Sequence, residues 1–281
     1  MKTRVLSALA LLVFACFARA ETNFGECIEW AVADSERVVV GKITKVEKSG
    51  KYEIATVAVS KTFRGKHEDK LQFVLPWSDG HAEGWRKANV PMLFCLVKRD
   101  QIKDNKDLPE RDLFLRYGAG HHSVVFLGKT DQQGMDVFTR DFGELTDPAA
   151  ILKHVEAYAK TIPADWKRKH IVINLPFGNS AMKKLYGGSA VIFTLPADAT
   201  LETQGKGWCK SRDPDLRERG VRALAAFPNE ENIKILKGLL TDDAFSTGDG
   251  KKHYYIRARA YDALRELGLK VERPVLEESA K

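Results

Sequence analysis

No run of 18 or more continuous apolar residues occurs in this 281-residue chain, so no segment reads as a membrane-spanning helix. Blocks of a single charge are missing too. The 45 Lys plus Arg are interspersed with 38 Asp plus Glu, which describes a mixed soluble surface and gives the formal +7 little weight as a sign of nucleic-acid binding. Motifs that carry chemistry are equally sparse. Gly178-Asn179-Ser180 lacks the second glycine of a nucleophile elbow. Tyr186-Gly187-Gly188-Ser189 fits neither GxGxxG nor a P-loop, and it precedes a strand where a phosphate cradle needs a following helix, so it reads as a tight turn. His121 and His122, with His81, form the only tempting histidine grouping. Neighbours in a strand face opposite ways, however, and no carboxylate or cysteine stands at ligand spacing. Asp242-Asp243 reads as a pair of ordinary loop acids, and Asp249 lacks the oxygen ligands of a calcium loop. No catalytic residue, cofactor site or metal ligand is therefore expected.

What is present begins with an export signal. Lys2 and Arg4 precede a stretch from 5 to 17 that is apolar apart from Ser7, and Ala18-Arg19-Ala20 puts small residues where a signal peptidase reads. Residues 1 to 20 are expected to be removed, leaving a periplasmic or extracellular protein that starts at Glu21. The competing reading takes Val13-Phe14-Ala15-Cys16 as a lipid-attachment site at Cys16, which bulky Phe14 fits poorly. Loss of Lys2, Arg4 and Arg19 takes the charge from +7 to +4. Cys27, Cys95 and Cys209 remain, an odd number, so at least one thiol is free or bonded to another molecule. Cys27 with Cys95 is the candidate intramolecular disulfide; the alternative is that Cys95, in the apolar run from 92 to 97, is a small core residue.

Residues 21 to 145 read as a β-rich module. After a helix-like stretch from 27 to 33, Val38-Val39-Val40 opens a strand buried on both faces that passes into alternation. Ser49-Gly50-Lys51 marks a hairpin. Tyr52, Ile54, Thr56 and Ala58 then share one face, with Glu53, Ala55, Val57 and Val59 on the other. Further strands are expected at 71 to 75, 92 to 97, 123 to 127 and 137 to 139, and a leading helix with several short strands points to a small antiparallel barrel.

The run ADSERVVVGKITKVEKSGKYEIATVAVSKTFRGKHEDKLQFVLP, with PMLFCLVK later, resembles the OB-like barrel of the tissue inhibitors of metalloproteinases and of netrin-like modules, over roughly residues 27 to 100. The resemblance implies protease inhibition through a first-residue Cys whose amine and carbonyl chelate the catalytic zinc. This chain departs from that pattern: cleavage after Ala20 makes Glu21 the first residue, and the nitrogen of Cys27 is tied up in a peptide bond.

Residues 146 to 212 form a mixed connecting segment. Asp147-Pro148 caps an amphipathic helix expected from about 148 to 161, and strands end in Leu175-Pro176 and Leu195-Pro196. A helix from Asp198 to about Lys210 is expected, weakened by Gly205 and Gly207. From 213 to 268 the chain repeats itself. Leu216, Gly220, Leu224 and Phe227 recur forty residues later as Ile256, Ala260, Leu264 and Leu267, with Arg217/Arg257, Arg219/Arg259, Ala223/Ala263 and Leu224/Leu264 identical. The segment DPDLRERGVRALAAFPNEENIKILKGLLTDD, followed by YIRARAYDALREL, resembles HEAT repeats in its R-x-x-A-x-x-A-L and L-x-x-L-L-x-D pattern. The resemblance implies a protein-binding scaffold. Residues 244 to 252 are an insertion on one face of the stack, and 269 to 281 a C-terminal tail.

One and a half repeats cannot bury their own apolar faces, so the stack must lean on a helix from 198 to 210, on the barrel or on another protein. Stacking would line up Arg217, Arg219, Arg257 and Arg259 as a candidate partner-binding surface. The alternative is a solvated face with ion pairs to Glu218, Asp215 and Asp262. The fold expected is α+β: an OB-like antiparallel β-barrel joined through a mixed helix and strand segment to a short helical HEAT-type stack. The function expected is a non-enzymatic, exported interaction protein with an unidentified protein partner and no nucleic acid. The alternative is a protease-inhibitor-like or other enzyme-modulating protein acting through the barrel.

Overall fold

A computed structural model of the chain describes residues 23–76, 80–102, 107–118, 121–163, 165–175 and 191–280. The export signal, Cys16, the 178–180 motif and the turn at 186–189 lie outside the described residues.

The chain opens with β1 (Asn23–Glu26) and turns directly into α1 (Ile28–Asp34), where Trp30 N–H donates to the Sγ of the capping Cys27 at 3.3 Å. Ile28, Trp30, Ala31, Val32 and Ala33 leave α1 apolar on nearly every side, and a helix of that kind survives only when it is buried all round. Next come β2 (Arg37–Ser49) and β3 (Tyr52–Arg64), a long hairpin closed at the expected turn with Ser49 opposite Tyr52. β4 (Lys70–Leu75) follows. The N-terminus of α2 (His81–Ala88) has no capping side chain of its own, and the buried Glu53 of β3 accepts the Ala82 N–H instead. β5 (Met92–Lys98) and β6 (Leu113–Leu115) complete the set.

These five strands close on themselves. β2 pairs with β3, β3 with β4, β4 with β6 in parallel, β6 with β5, and β5 returns to β2 through Val38 opposite Cys95. The parity of the apolar run at 38–40 now has a cause. Val39 points into the barrel with Ala55, Val57, Phe73, Phe94 and Leu115, while Val38 and Val40 point outward into a second core with α1, Leu93 and Cys95. A third small cluster of Tyr52, Ile54, Val74, Val97 and Phe114 uses the other outer face. β6 is three residues long and touches β4 at one register pair, Val74 opposite Phe114, too little pattern for the sequence to announce it. β7 (Tyr117–Gly118) and β8 (His121–His122) form a two-stranded ladder, and β9 (Val124–Phe126) extends the sheet beyond β5. The strand expected at 137 to 139 is a single bridge, Phe138 to Glu144.

α3 (Pro148–Ala159) starts where expected, with Ala150 N–H donating to Asp147 Oδ2 at 2.8 Å. β10 (His170–Leu175) and β11 (Val191–Pro196) do not join the barrel. They pair antiparallel with each other, and β1 lies parallel on the other side of β11. The outer core runs without interruption from α1 and the barrel wall through α3 and this three-stranded sheet to Leu201 and Ala223.

α4 (Ala199–Trp208), α5 (Pro214–Ala225), α6 (Glu230–Gly238) and α7 (Tyr255–Glu266) follow, the first three capped by Asp198, Asp213 and Asn229. Two glycines bring α4 and α5 together. A Cβ on Gly220 would stand 2.6 Å from Cys209 Sγ and 3.0 Å from Gly205 O, and one on Gly205 would stand 2.8 Å from Ala223 Cβ. Gly205 therefore marks a helix contact. At the far end Leu269 and Val271 pack against the cluster of Leu224, Leu236, Ile256 and Leu264. The insertion forms the hairpin β12 (Ser246–Gly248) and β13 (Lys251–His253), and the tail adds β14 (Glu277–Ser279) to its edge. The architecture is thus mixed α+β, with seven helices and a closed five-stranded barrel among the described residues. No described helix is long and apolar enough to cross a membrane.

Candidate functional site

Glu29 sits in an otherwise apolar helix, so burying α1 buries a carboxylate that must find partners. It finds three. His154 Nε2 lies 2.8 Å from Oε1, the backbone N–H of Arg140 donates to Oε2 at 3.1 Å, and Arg140 Nε stands 3.7 Å away. Arg140 also makes a bidentate pair with Asp198, both bonds at 2.8 Å, and Tyr158 Oη donates to the same carboxylate at 2.9 Å. One guanidinium therefore ties α1, the loop at 139–143 and the N-cap of α4. Burial raises the Glu29 and Asp198 carboxyls, but the His154 and Arg140 bonds respectively outweigh it and hold both below the ordinary range.

A second cluster does the same for the barrel. Arg116, just past β6, grips Glu26 at the end of β1 with two bonds of 2.6 and 2.7 Å, Asp34 at the end of α1 at 2.7 Å, and Ser123 Oγ at 2.9 Å. Its side chain is 5% exposed, so removal of the arginine would leave the buried Glu26 carboxylate without its cation. Neither cluster was expected. The legible sign was Glu26, Glu29 and Asp34 flanking or interrupting an apolar helix.

Cys27, Glu29 and His154 have the composition of a nucleophile relay, but the order is inverted. The carboxylate lies between thiol and imidazole and accepts from the thiol, and burial with that neighbour keeps Cys27 well above the ordinary thiol range. A protonated, fully buried thiol is no nucleophile. Tyr158, raised by burial and then by Asp198, likewise stays a hydrogen-bond donor. A cavity of about 270 Å³ lies beside Tyr158, Trp166 and Asp198, yet both its titratable groups are already committed to each other.

The candidate disulfide is not formed: Cys27 and Cys95 are free thiols, Cys27 capping the start of α1 and Cys95 hydrogen-bonding Ser35 just past its end. Both are buried thiols, as is Cys209. Burial pushes Cys95 and Cys209 up to about 12. The backbone N–H of Cys27 donates to Thr194 O at 3.3 Å, so zinc chelation by that nitrogen is closed off.

The four arginines do not form a free row. Arg217 is bidentate to Asp242 at 2.7 and 3.0 Å, and Arg257 donates to the Asp242 and Val275 carbonyls. Arg259 reaches Glu218 at 3.2 Å, and Arg219 lies over the Phe142 ring at 5.2 Å. Equivalent arginines of the two repeats thus converge on one aspartate. His81 does meet His122, with ring centroids 5.7 Å apart beside Trp85 and Tyr117, but among the described residues no group of three or more His, Cys, Asp or Glu side chains could hold a metal ion. Asp249 sits at φ 52° in the β12–β13 turn. No protein family, curated protein or solved structure matches the chain.

Proposed function

We propose that the chain is an exported, non-enzymatic protein-binding scaffold in which an OB-like barrel and a short HEAT-type array act as one body. The observation that carries this reading is the use of the buried polar groups. Arg116, Arg140, Glu26, Glu29 and Asp198 are consumed in fastening α1, the barrel and α4 together, so these buried charges serve to join the parts and none of them is free to act as acid, base or nucleophile. The barrel's strand order supports the OB-like reading: first strand beside second and fourth, third beside fifth in parallel. The forty-residue repeat supports the HEAT-type one, with α4 at one end and Leu269 and Val271 at the other covering faces that so short a stack cannot bury alone.

Immobilised mature protein is expected to retain a stoichiometric protein partner from an envelope extract. The same barrel topology favours a second reading, inhibition of a protease through the barrel. Inhibition of a metalloprotease panel by the mature protein, with no partner retained, would overturn the first reading and establish the second.

A further inference from the structure

The insertion in the helical repeat is where a stacked array carries its variable, binding face. Here it supplies β13, whose outer edge is already occupied by the chain's own C-terminal strand. His253 pairs with Glu277, Lys252 with Glu278 and Lys251 with Ser279. Ladder bonds continue at both ends, from Tyr254 N–H to Leu276 O and from Ala280 N–H to Gly250 O, each 2.9 Å. Side chains add a charge pattern. Lys251 Nζ reaches Glu277 at 2.9 Å, His253 the same carboxylate at 3.4 Å, and Tyr254 Oη donates to Glu278 at 2.7 Å.

The occupant is loosely held. All three residues of β14 are exposed, nothing from 272 to 280 is buried, and ion pairs as open as Lys251–Glu277 contribute little. Leu269 and Val271, which seat the tail on the helices, lie upstream, so residues 273 to 280 can peel away with the core intact. Beside the edge stands a large apolar side chain left in solvent, Phe245 at 44% exposure. Lys252 lies 4.7 Å over the Phe245 ring and pairs with no carboxylate among the described residues, and Arg257 donates to the Asp242 and Val275 carbonyls and lies 3.8 Å over the Tyr254 ring.

We propose that the β13 edge is the docking site for an extended acidic strand of a partner protein, an apolar residue followed by two carboxylates, and that residues 275 to 280 fill it in cis until the partner displaces them. This deepens the scaffold reading and rests on it. Main-chain bonds to a strand edge supply affinity, and Lys251, His253 and Tyr254 select acidic residues.

The test uses the full chain carrying Glu277→Lys and Glu278→Lys, which frees the tail, and a labelled peptide of sequence RPVLEESAK as probe. A tail that closes the edge nine-tenths of the time weakens peptide binding about tenfold. Fluorescence anisotropy is therefore expected to show the peptide binding the double variant about tenfold tighter than the unaltered chain, and a peptide with both glutamates changed to lysine binding neither. Amides 252 and 254, which face the tail, should exchange slowly in the unaltered chain, fast in the double variant, and slowly again with peptide, while 251 and 253, which face β12, stay protected throughout. Equal or absent binding to both proteins overturns the proposal, as does a tail-exchanged dimer of the unaltered chain. Peptide binding with no protein retained from the envelope extract overturns the partner clause together with the scaffold reading. A retained partner with no peptide binding overturns this edge alone.

Discussion

Alanine at two glycines should change stability in opposite directions, because one is open and the other closed. In an unobstructed helix interior, Gly→Ala stabilises by about 0.8–1 kcal/mol. Gly207, in the last turn of α4, gains at most this much, with nothing within 4 Å of where a Cβ would stand. At Gly220 in α5 the Cβ meets Cys209 Sγ at 2.6 Å, Cys209 N at 2.7 Å and Gly205 O at 3.0 Å. Two of these three atoms are backbone, so no rotamer change relieves the clash and the helices must separate. Overpacking of this kind costs about 1–3 kcal/mol. Set against the propensity gain, Gly220→Ala should destabilise by up to about 2 kcal/mol. At about 2–4 °C per kcal/mol for a chain of this size, its Tm should fall by up to about 8 °C while that of Gly207→Ala rises by up to about 4 °C. Gly205→Ala should lie between, since Ala223 Cβ at 2.8 Å and Leu224 Cδ2 at 3.1 Å belong to side chains that can yield. Thermal melts followed by far-UV circular dichroism read all three. A rise for Gly220→Ala equal to that for Gly207→Ala would refute the seating of the array on α4.

Acid should unfold the protein through its buried carboxylates. Glu29 and Asp198 have folded-state pKa values below their ordinary ones, so their contribution is complete above about pH 4.5 and is lost as pH falls through the folded values. Tm is expected to hold from pH 7 to about 5 and drop steeply below about 4. Asp198→Asn should lower it at neutral pH and flatten the acid limb, and an unchanged limb would contradict the assignment. Cys27, Cys95 and Cys209 should resist alkylation in the native protein and all react in denaturant without reductant. If Cys27 and Cys95 became reactive only after reduction, their placement at opposite ends of α1 would be wrong.

Features written in neighbouring residues were legible in the sequence. Ser49-Gly50-Lys51 fixed a hairpin, and Asp147-Pro148, Asp213-Pro214 and Pro228-Asn229 marked three helix starts, because caps and turns act over a few residues. Non-local pairings were not. β6 is too short to show alternation, and β1 gains its meaning only from β11. Gly205 and Gly220 read as a weakness and a repeat position, since a sequence does not say which helix will approach another. The arginines were read either as a partner surface or as a face ion-paired to Glu218, Asp215 and Asp262, because periodicity gives the face and not its occupants; Arg259 does reach Glu218, but Asp242 sits between Arg217 and Arg257.

The pairing of β1 with β11 bears on how the chain acquires its shape during synthesis. Asn23 pairs with Val191, so its partner is made 168 residues later, about 8–34 s at ordinary elongation rates of 5–20 residues per second. The barrel strands from 37 to 115 can close well before then. Until β11 arrives, β1 has no neighbour, the Cys27 amide has no Thr194 carbonyl and one flank of α1 stays open. β1 is thus among the last strands to settle, and the interval leaves one apolar flank of α1 open to any factor that holds unfinished chains.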